Sequence, residues 1–558
     1  MITRFVPAVE WLRAYRREWF GADVIAGLIA AAVVIPKAMA FATIAGLPVQ
    51  VGLYTVLVPM AIYAVLGTSR PLSLSTTTTI AILTAAELAE SVPNGSAADL
   101  VAASATLAVL VGALLVLASL LRLGFVANFI SDPVLTGFKS GIGLVIVVDQ
   151  IPKLLGIHIE KAGFFRDLLA IVQHLVDVSP PTFVLGLVII LLLFVMEHFA
   201  PRAPAPLVAV ALGIGGCALL NFPALGITTV GDIPRSLPSL ALPRLGLVAQ
   251  MWPGAVGIAL MSFTESVAAA RAFAKAGEPR PVANQELFAI GAANIAGGFF
   301  GGMPAGGGTT QTAVNRAAGA RTQVAELVTA AAALATMLLL APLVALMPNA
   351  VLAAIVVVYS VTLIKPAEFR AIARVRATEF YWAVIAVAGV ALLGTLRGII
   401  VAVIASLLAL AHQTYNPPVY AVGRKRGTDV FRPLSSEHPD DETWPGLVIV
   451  RVEGRMFFAN AQRVGDKIWP LIQHARPSVI IIDGRAIIDI EYTALKMLSE
   501  AEERLRRDGI ELWLVALTPN VRDVVEHSDL WKTLGRERLF FNLQAAVERY
   551  TARSVRSM

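Results

Sequence analysis

The chain has a single cysteine and few charges, and both shortages narrow what it can be. Cys217 stands alone among 558 residues, so no intrachain disulfide can form and no cysteine-rich metal site can be built. It lies in an apolar run and reads as a small core residue. The seven histidines show no H-x-x-x-H or similar cluster. No nucleophile–base pair stands out, so neither an enzyme, nor a cofactor, nor a metal is expected. Charged residues make up 15% of the chain, against roughly 25% in soluble domains, which excludes an ordinary soluble protein.

What is present is apolar: 57% of residues are hydrophobic and the mean hydropathy is +0.72. Up to about residue 415 one apolar segment follows another; beyond it charges crowd in, as in Glu502-Glu503-Arg504-Leu505-Arg506-Arg507. We read an interfacial segment at 1–20, a membrane domain at 21–415, a linker at 416–440 and a soluble domain at 441–558. The first segment carries Arg4, Arg13, Arg16 and Arg17 among aromatics, with no signal-peptide core behind them. A net charge of +6 fits basic loops at a membrane face, so no nucleic-acid partner is expected.

A spanning helix needs about 20 apolar residues. Candidates lie near 24–44, 50–67, 75–90, 99–121, 126–149, 181–199 and 205–221. A second set lies near 250–272, 283–301, 309–320, 322–344, 349–363, 378–396 and 398–414, with a surface helix at 162–178. The fold class is therefore an α-helical membrane protein of about fourteen spans in a seven-plus-seven inverted repeat. Arg17, Arg70, Arg122, Arg202, Lys275, Arg316 and Arg374 fall on one side, which places both termini in the cytoplasm.

Two stretches break the apolar pattern at matching places in the two halves: Ser73 to Thr79, and Pro304 to Thr312. Irregular backbone at membrane depth survives only where it is buried in protein or lines a polar cavity, and paired breaks point to a transporter's binding site. The helix N-termini that follow are positive ends suited to an anion. Ser75, Thr76 and Thr77 add hydroxyls to the first, and Thr309 and Thr310 to the second, where Gly307 and Gly308 permit close backbone approach. Small residues that only let helices pack are the plainer alternative. Lys37 and Glu265 lie in mid-span, where ionisable groups are functional candidates. Lys37 would attract the anion and Glu265 would carry a coupling proton; a structural ion pair between them is the alternative. Lys139 and Asp149 are read as snorkelling to the interface.

These residues sit in motifs that resemble the SulP sulphate-permease family. Asp23-Val24-Ile25-Ala26-Gly27, Ile35-Pro36-Lys37-Ala38-Met39-Ala40-Phe41-Ala42, Leu66-Gly67-Thr68-Ser69-Arg70, Phe263-Thr264-Glu265-Ser266 and Asn294-Ile295-Ala296-Gly297-Gly298 carry the likeness. The resemblance implies an anion held between the third and tenth helices of a core domain, with Phe41 beside it. It also implies elevator-like motion against a gate domain, a homodimer, and a cytoplasmic STAS domain. Three positions depart from the family: Lys37 stands where many relatives have glutamine, Gln311 where vertebrate relatives have arginine, and Ser75 to Thr78 in place of a Gly-Pro start. Glu265 matches the acidic position of proton-coupled bacterial members.

From about 446, strand and helix patterns alternate, with strands at Leu447–Val450, Val479–Asp483 and Leu512–Ala516 and a helix at Ala494–Arg507. This α/β tail resembles a STAS domain, in which Thr493 would fall on the phosphorylation loop; capping of the next helix is its plainer role. The expected function is proton-coupled anion uptake across the inner membrane, with sulphate first, then bicarbonate and C4-dicarboxylate, and with sodium an alternative to the proton. Lipid and a cytoplasmic partner of the tail complete the expected partners. A nucleobase permease and an anion sensor signalling through the tail are readings of other classes.

Overall fold

In hydrocarbon every backbone N–H and C=O must find a partner within the protein, so long apolar runs become helices. The computed structural model describes residues 6–556 apart from 94, 129–130, 160–162, 201–202, 232, 234, 236 and 275–277. Arg4, named above in the interfacial segment, and Arg202 and Lys275, used above for orientation, lie outside the described residues. The chain divides into two units, residues 1–407 and 408–558.

The first unit begins with a short helix, α1 (Ala8–Arg13), and continues through α2 (Trp19–Ile44), α3 (Val49–Leu66), a two-residue strand β1 (Leu74–Ser75), α4 (Thr78–Ser91) and α5 (Ala97–Leu120). Then come α6 (Asp132–Leu155), α7 (Phe164–Gln173), α8 (Pro180–Phe199) and α9 (Ala205–Leu220). The second half runs α10 (Val248–Ala272), α11 (Ala283–Phe299), β2 (Gly306–Gly307), α12 (Thr309–Ala317), α13 (Val324–Ala335), α14 (Ala341–Ala345), α15 (Asn349–Val361), α16 (Pro366–Val375), α17 (Ala377–Leu393) and α18 (Thr395–Tyr415). All fourteen expected apolar segments are helical.

Local chemistry explains where the boundaries moved. The fifth segment, expected at 126–149, is α6 at 132–155. Asp132 and Pro133 favour a helix start, and Gly156 ends it in the left-handed conformation at φ +69°. The eleventh is not a plain helix: a π turn at Thr336–Leu340 separates α13 from α14. Pro342, lacking an N–H, stands at the start of α14. The amphipathic helix α16 was not foreseen. Its Arg370 and Arg374 are exposed, and no buried stripe marks it.

Packing exchanges helices between the halves. In one group α5 packs on α11, α13 on α2 and α3, and α10 on α4 and α5. In the other, α6 packs on α17 and α15, while α8 packs on α15 and α9. Each group thus takes helices from both halves, and α2 touches α15 and α9 across the seam.

The second unit is a six-stranded mixed sheet in the order β10-β9-β7-β5-β3-β4. The strands are β3 (Val419–Arg424), β4 (Phe431–Pro433), β5 (Leu447–Val452), β7 (Val479–Asp483), β9 (Glu511–Val515) and β10 (Leu539–Phe540). Two further strands, β6 (Gly454–Met456) and β8 (Ile487–Ile490), pair with each other. Two clusters of buried apolar side chains, around Ile480 and Ile482 and around Ile481 and Trp513, are supplied by alternate residues of β7. Residues 416–440, read above as a linker, hold β3 and β4, and β3 pairs antiparallel with β5.

A pair of facing glycines sets a close, reciprocal helix approach in the first group. A Cβ on Gly112 would lie 2.5 Å from the Gly291 carbonyl oxygen, and one on Gly291 would lie 2.8 Å from the Gly112 oxygen. Gly112→Val should therefore wedge α5 from α11 and cost about 1–3 kcal/mol. It should be read as a lower unfolding midpoint of the purified protein; an unchanged midpoint would show that the helices tolerate separation.

Candidate functional site

The two breaks meet and pair with each other. Leu74 stands opposite Gly307 and Ser75 opposite Gly306 in an antiparallel bridge, and the Gly308 N–H donates to the Ser73 carbonyl at 3.1 Å. Side chains satisfy the backbone groups the bridge leaves over. Ser266 Oγ accepts from Gly307 N at 2.6 Å, Asn294 Oδ1 from Ala305 N at 2.8 Å, and Thr312 Oγ1 from Ser73 N at 3.1 Å. Glycine is required at 307 because a Cβ there would sit 2.8 Å from the Ser266 Cα.

From this bridge α4 and α12 depart as half-helices of 14 and 9 residues, each too short to cross about 30 Å of hydrocarbon. Thr77 caps α4, its hydroxyl accepting from Ile80 N at 3.3 Å. The two N-termini border a cavity of about 100 Å³ lined by Lys37, Phe41, Thr77, Gly308, Thr309, Thr310, Gln311 and Glu265, as well as by Thr78, Thr79, Lys139, Tyr359, Thr362 and Leu363. Thr309 and Thr310 are the exposed hydroxyls at its second helix end.

Three of the expected site residues lie behind this wall. Ser75 is fully buried and donates to Gln311 Oε1 at 2.8 Å, the Thr76 carbonyl accepts from Gln311 Nε2 at 3.3 Å, and Gly307 is held in the bridge. Ser75 and Thr76 thus position Gln311, while Gly307 positions the bridge.

The charges are arranged differently from either reading of the sequence. Glu265 does not pair with Lys37. Its carboxylate accepts from Thr77 Oγ1 at 3.1 Å and Thr79 Oγ1 at 3.0 Å, and Lys139 Nζ lies 3.4 Å away. Lys139 thus lines the cavity instead of snorkelling to the interface, because the packing of α6 turns this side chain toward Glu265. The signal was there, since an ionisable residue within a span is a functional candidate. Lys37, 3% exposed, lies 3.6 Å from the centre of the Tyr359 ring, a cation–π contact. The Glu197 carboxylate lies near the Tyr359 hydroxyl. Two ammonium groups and one carboxylate line the cavity, for a net charge of +1. Lys139 belongs to α6 and Tyr359 to α15 in the second helix group, whereas Lys37, Glu265 and both half-helices belong to the first. The cavity lies on the seam.

Residues 20–386 match the model of the sulfate permease family, and residues 438–546 match the STAS domain. The chain belongs to the sulfate permease family. It is 35% identical over 554 residues to a probable sulfate transporter of Mycobacterium tuberculosis, covering 98% of each chain. It is 30% identical over 577 residues to the chloroplastic sulfate transporter 4.1 of Arabidopsis thaliana, covering 98% of this chain and 82% of that one. In fold it follows murine solute carrier 26 member A9, an anion transporter in the inward-facing state, with TM-score 0.91 at 22% identity over 99% of this chain and 94% of that one. The transmembrane domain of a cyanobacterial bicarbonate transporter superposes with TM-score 0.62 at 26% identity, covering 70% of this chain and 98% of that one. This family member is a multi-pass membrane protein, and its helices are consistent with an inverted seven-plus-seven repeat.

In the STAS domain Thr493 does not cap the following helix, α19 (Tyr492–Arg507). Glu491 occupies the cap position and Thr493 sits exposed in the first turn. Arg455 holds Asp489 at 2.9 Å and Glu491 at 2.8 Å beside it.

The Glu265–Lys139 pair gives a direct test. Lys139→Met leaves the 8%-exposed carboxylate with hydroxyl partners alone and should destabilise the protein by up to about 3 kcal/mol. Adding Glu265→Gln should restore stability to within about 1 kcal/mol. A double-mutant cycle of unfolding midpoints reads the coupling; additive effects would mean the two groups do not interact.

Proposed function

We propose that this protein is a secondary active transporter that imports sulphate together with a proton. The observation that carries this reading is the cavity itself: two helix N-termini and a net positive charge facing one small space on the seam between two helix groups. Helix ends and ammonium groups favour an anion, and the named relatives supply sulphate as the first candidate. A neutral nucleobase would give Lys37 nothing to compensate.

Most of the site rides on the first helix group, so movement of that group past the second would carry the anion across, as in an elevator. Such movement has to part Lys139 from Glu265. An arriving dianion competes with the Glu265 carboxylate for Lys139, which ties anion entry to the charge balance at Glu265. Anion and proton would then load together and leave together. The membrane is taken to be the cytoplasmic one with both termini inside, and the active form a homodimer. The STAS domain would supply partner contacts, with Thr493 exposed for phosphorylation at a helix start where added negative charge is favoured. Bicarbonate is the second reading, supported by the cyanobacterial neighbour at 26% identity; a C4-dicarboxylate comes third, and sodium remains the alternative coupling ion.

Purified protein in liposomes should accumulate labelled sulphate when an inward proton gradient is imposed. Equal uptake with and without the gradient would remove the proton, and bicarbonate uptake driven by sodium in its place would establish the second reading. Glu265→Gln should abolish the pH dependence of uptake; a retained dependence would move the coupling elsewhere. Lys37→Met should raise the apparent KM for the anion at least about tenfold, the loss of one charged contact. An unchanged KM would leave Lys37 a packing residue.

A further inference from the structure

A second polar cavity, about 340 Å³, opens at the end of the first unit where basic residues gather. Its walls are α1, the Gly67–Arg70 loop after α3, and the approach to α11. Arg70 and Arg280 line it, and neither guanidinium has an acidic partner among the described residues. Glu10 is the one acidic side chain lining it, so the balance is +1. The loop itself is held firmly. Gln323 Nε2 donates to the carbonyls of Ser69, Arg70 and Leu72 at 2.8, 3.0 and 3.0 Å.

A preformed site with donors in excess calls for a ligand made of acceptors. The arginine fork matches the paired oxygens of a phosphate better than any single-point anion contact. The cavity's surroundings indicate where that phosphate comes from. Leu12, in α1, and Phe20, at the start of α2, are 55% and 59% exposed, as expected of a segment lying at the membrane interface. We propose that this cavity binds the phosphate of an anionic phospholipid headgroup. The loop it fills runs from Arg70 directly into β1, the strand that holds the anion cavity together. Lipid binding therefore steadies the bridge between the half-helices. The effect on uptake rests on the transport reading above; the binding does not.

Native mass spectrometry of the full-length protein released from nanodiscs, with phosphatidylglycerol present at a minority of phosphatidylcholine, tests the binding independently of transport. The wild type should retain phosphatidylglycerol selectively, and Arg70→Gln with Arg280→Gln should lower that preference about tenfold or more. Arg→Lys at both positions, which keeps the charge and loses the fork, should lower it partway, and Glu10→Gln should raise it. These two milder variants carry the test should the double glutamine variant not fold. Inorganic phosphate in phosphatidylcholine discs separates the sources. A raised unfolding midpoint there, lost in the double variant and without lipid selectivity, keeps the phosphate site and overturns the lipid. Equal losses from Arg13→Gln with Arg16→Gln, or wild-type behaviour of the double variant, overturn the site. Lost lipid selectivity with unchanged uptake overturns the link to β1 alone.

Discussion

An unpaired peptide group in hydrocarbon costs several kcal/mol, yet this chain leaves the helical conformation twice at membrane depth. The two departures solve each other's problem. Leu74 and Ser75 pair with Gly307 and Gly306, and Ser266, Asn294 and Thr312 take the N–H groups left over. Two half-helices can then begin at one place, with their positive ends toward one cavity. Without that bridge neither helix start could remain in the bilayer. Every other feature of the site is placed relative to it, from the Thr77 cap to the Gln311 amide.

The same economy governs charge. A lone carboxylate in a low-dielectric cavity is costly, and Glu265 is stabilised by two threonine hydroxyls and the Lys139 ammonium. Lys37 is treated differently: it rests on the Tyr359 ring, an interaction that lowers the cost of burial without neutralising the charge. One cation is paired with a carboxylate and the other is held over an aromatic face.

Because the helices are exchanged between the halves of the chain, these contacts cross a seam between two packed groups. Lys139 and Tyr359 come from one side, Glu265 and Lys37 from the other. The packing within the first group is tight, with Gly112 and Gly291 bringing α5 and α11 backbone to backbone. Across the seam the links at the site are a single ion pair and a cation–π contact. Strong cohesion within each group and few polar ties between them are what a rigid-body movement requires.

The amino-acid sequence by itself determined the apolar segments, their number, the two breaks, the mid-span positions of Lys37 and Glu265, and the alternation of the tail. All of these follow from local composition and periodicity. Tertiary structure alone decided that the breaks pair with each other, because Ser75 and Gln311 are 236 positions apart and no local pattern encodes that meeting. It also decided that Ser75, Thr76 and Gly307 stand behind the cavity wall. It placed Lys139 beside Glu265 and set Tyr359 under Lys37. Such partnerships depend on how each helix is rotated and which neighbour it meets. A residue's own sequence neighbourhood specifies that it must find a partner in the membrane, and the packed fold specifies which one.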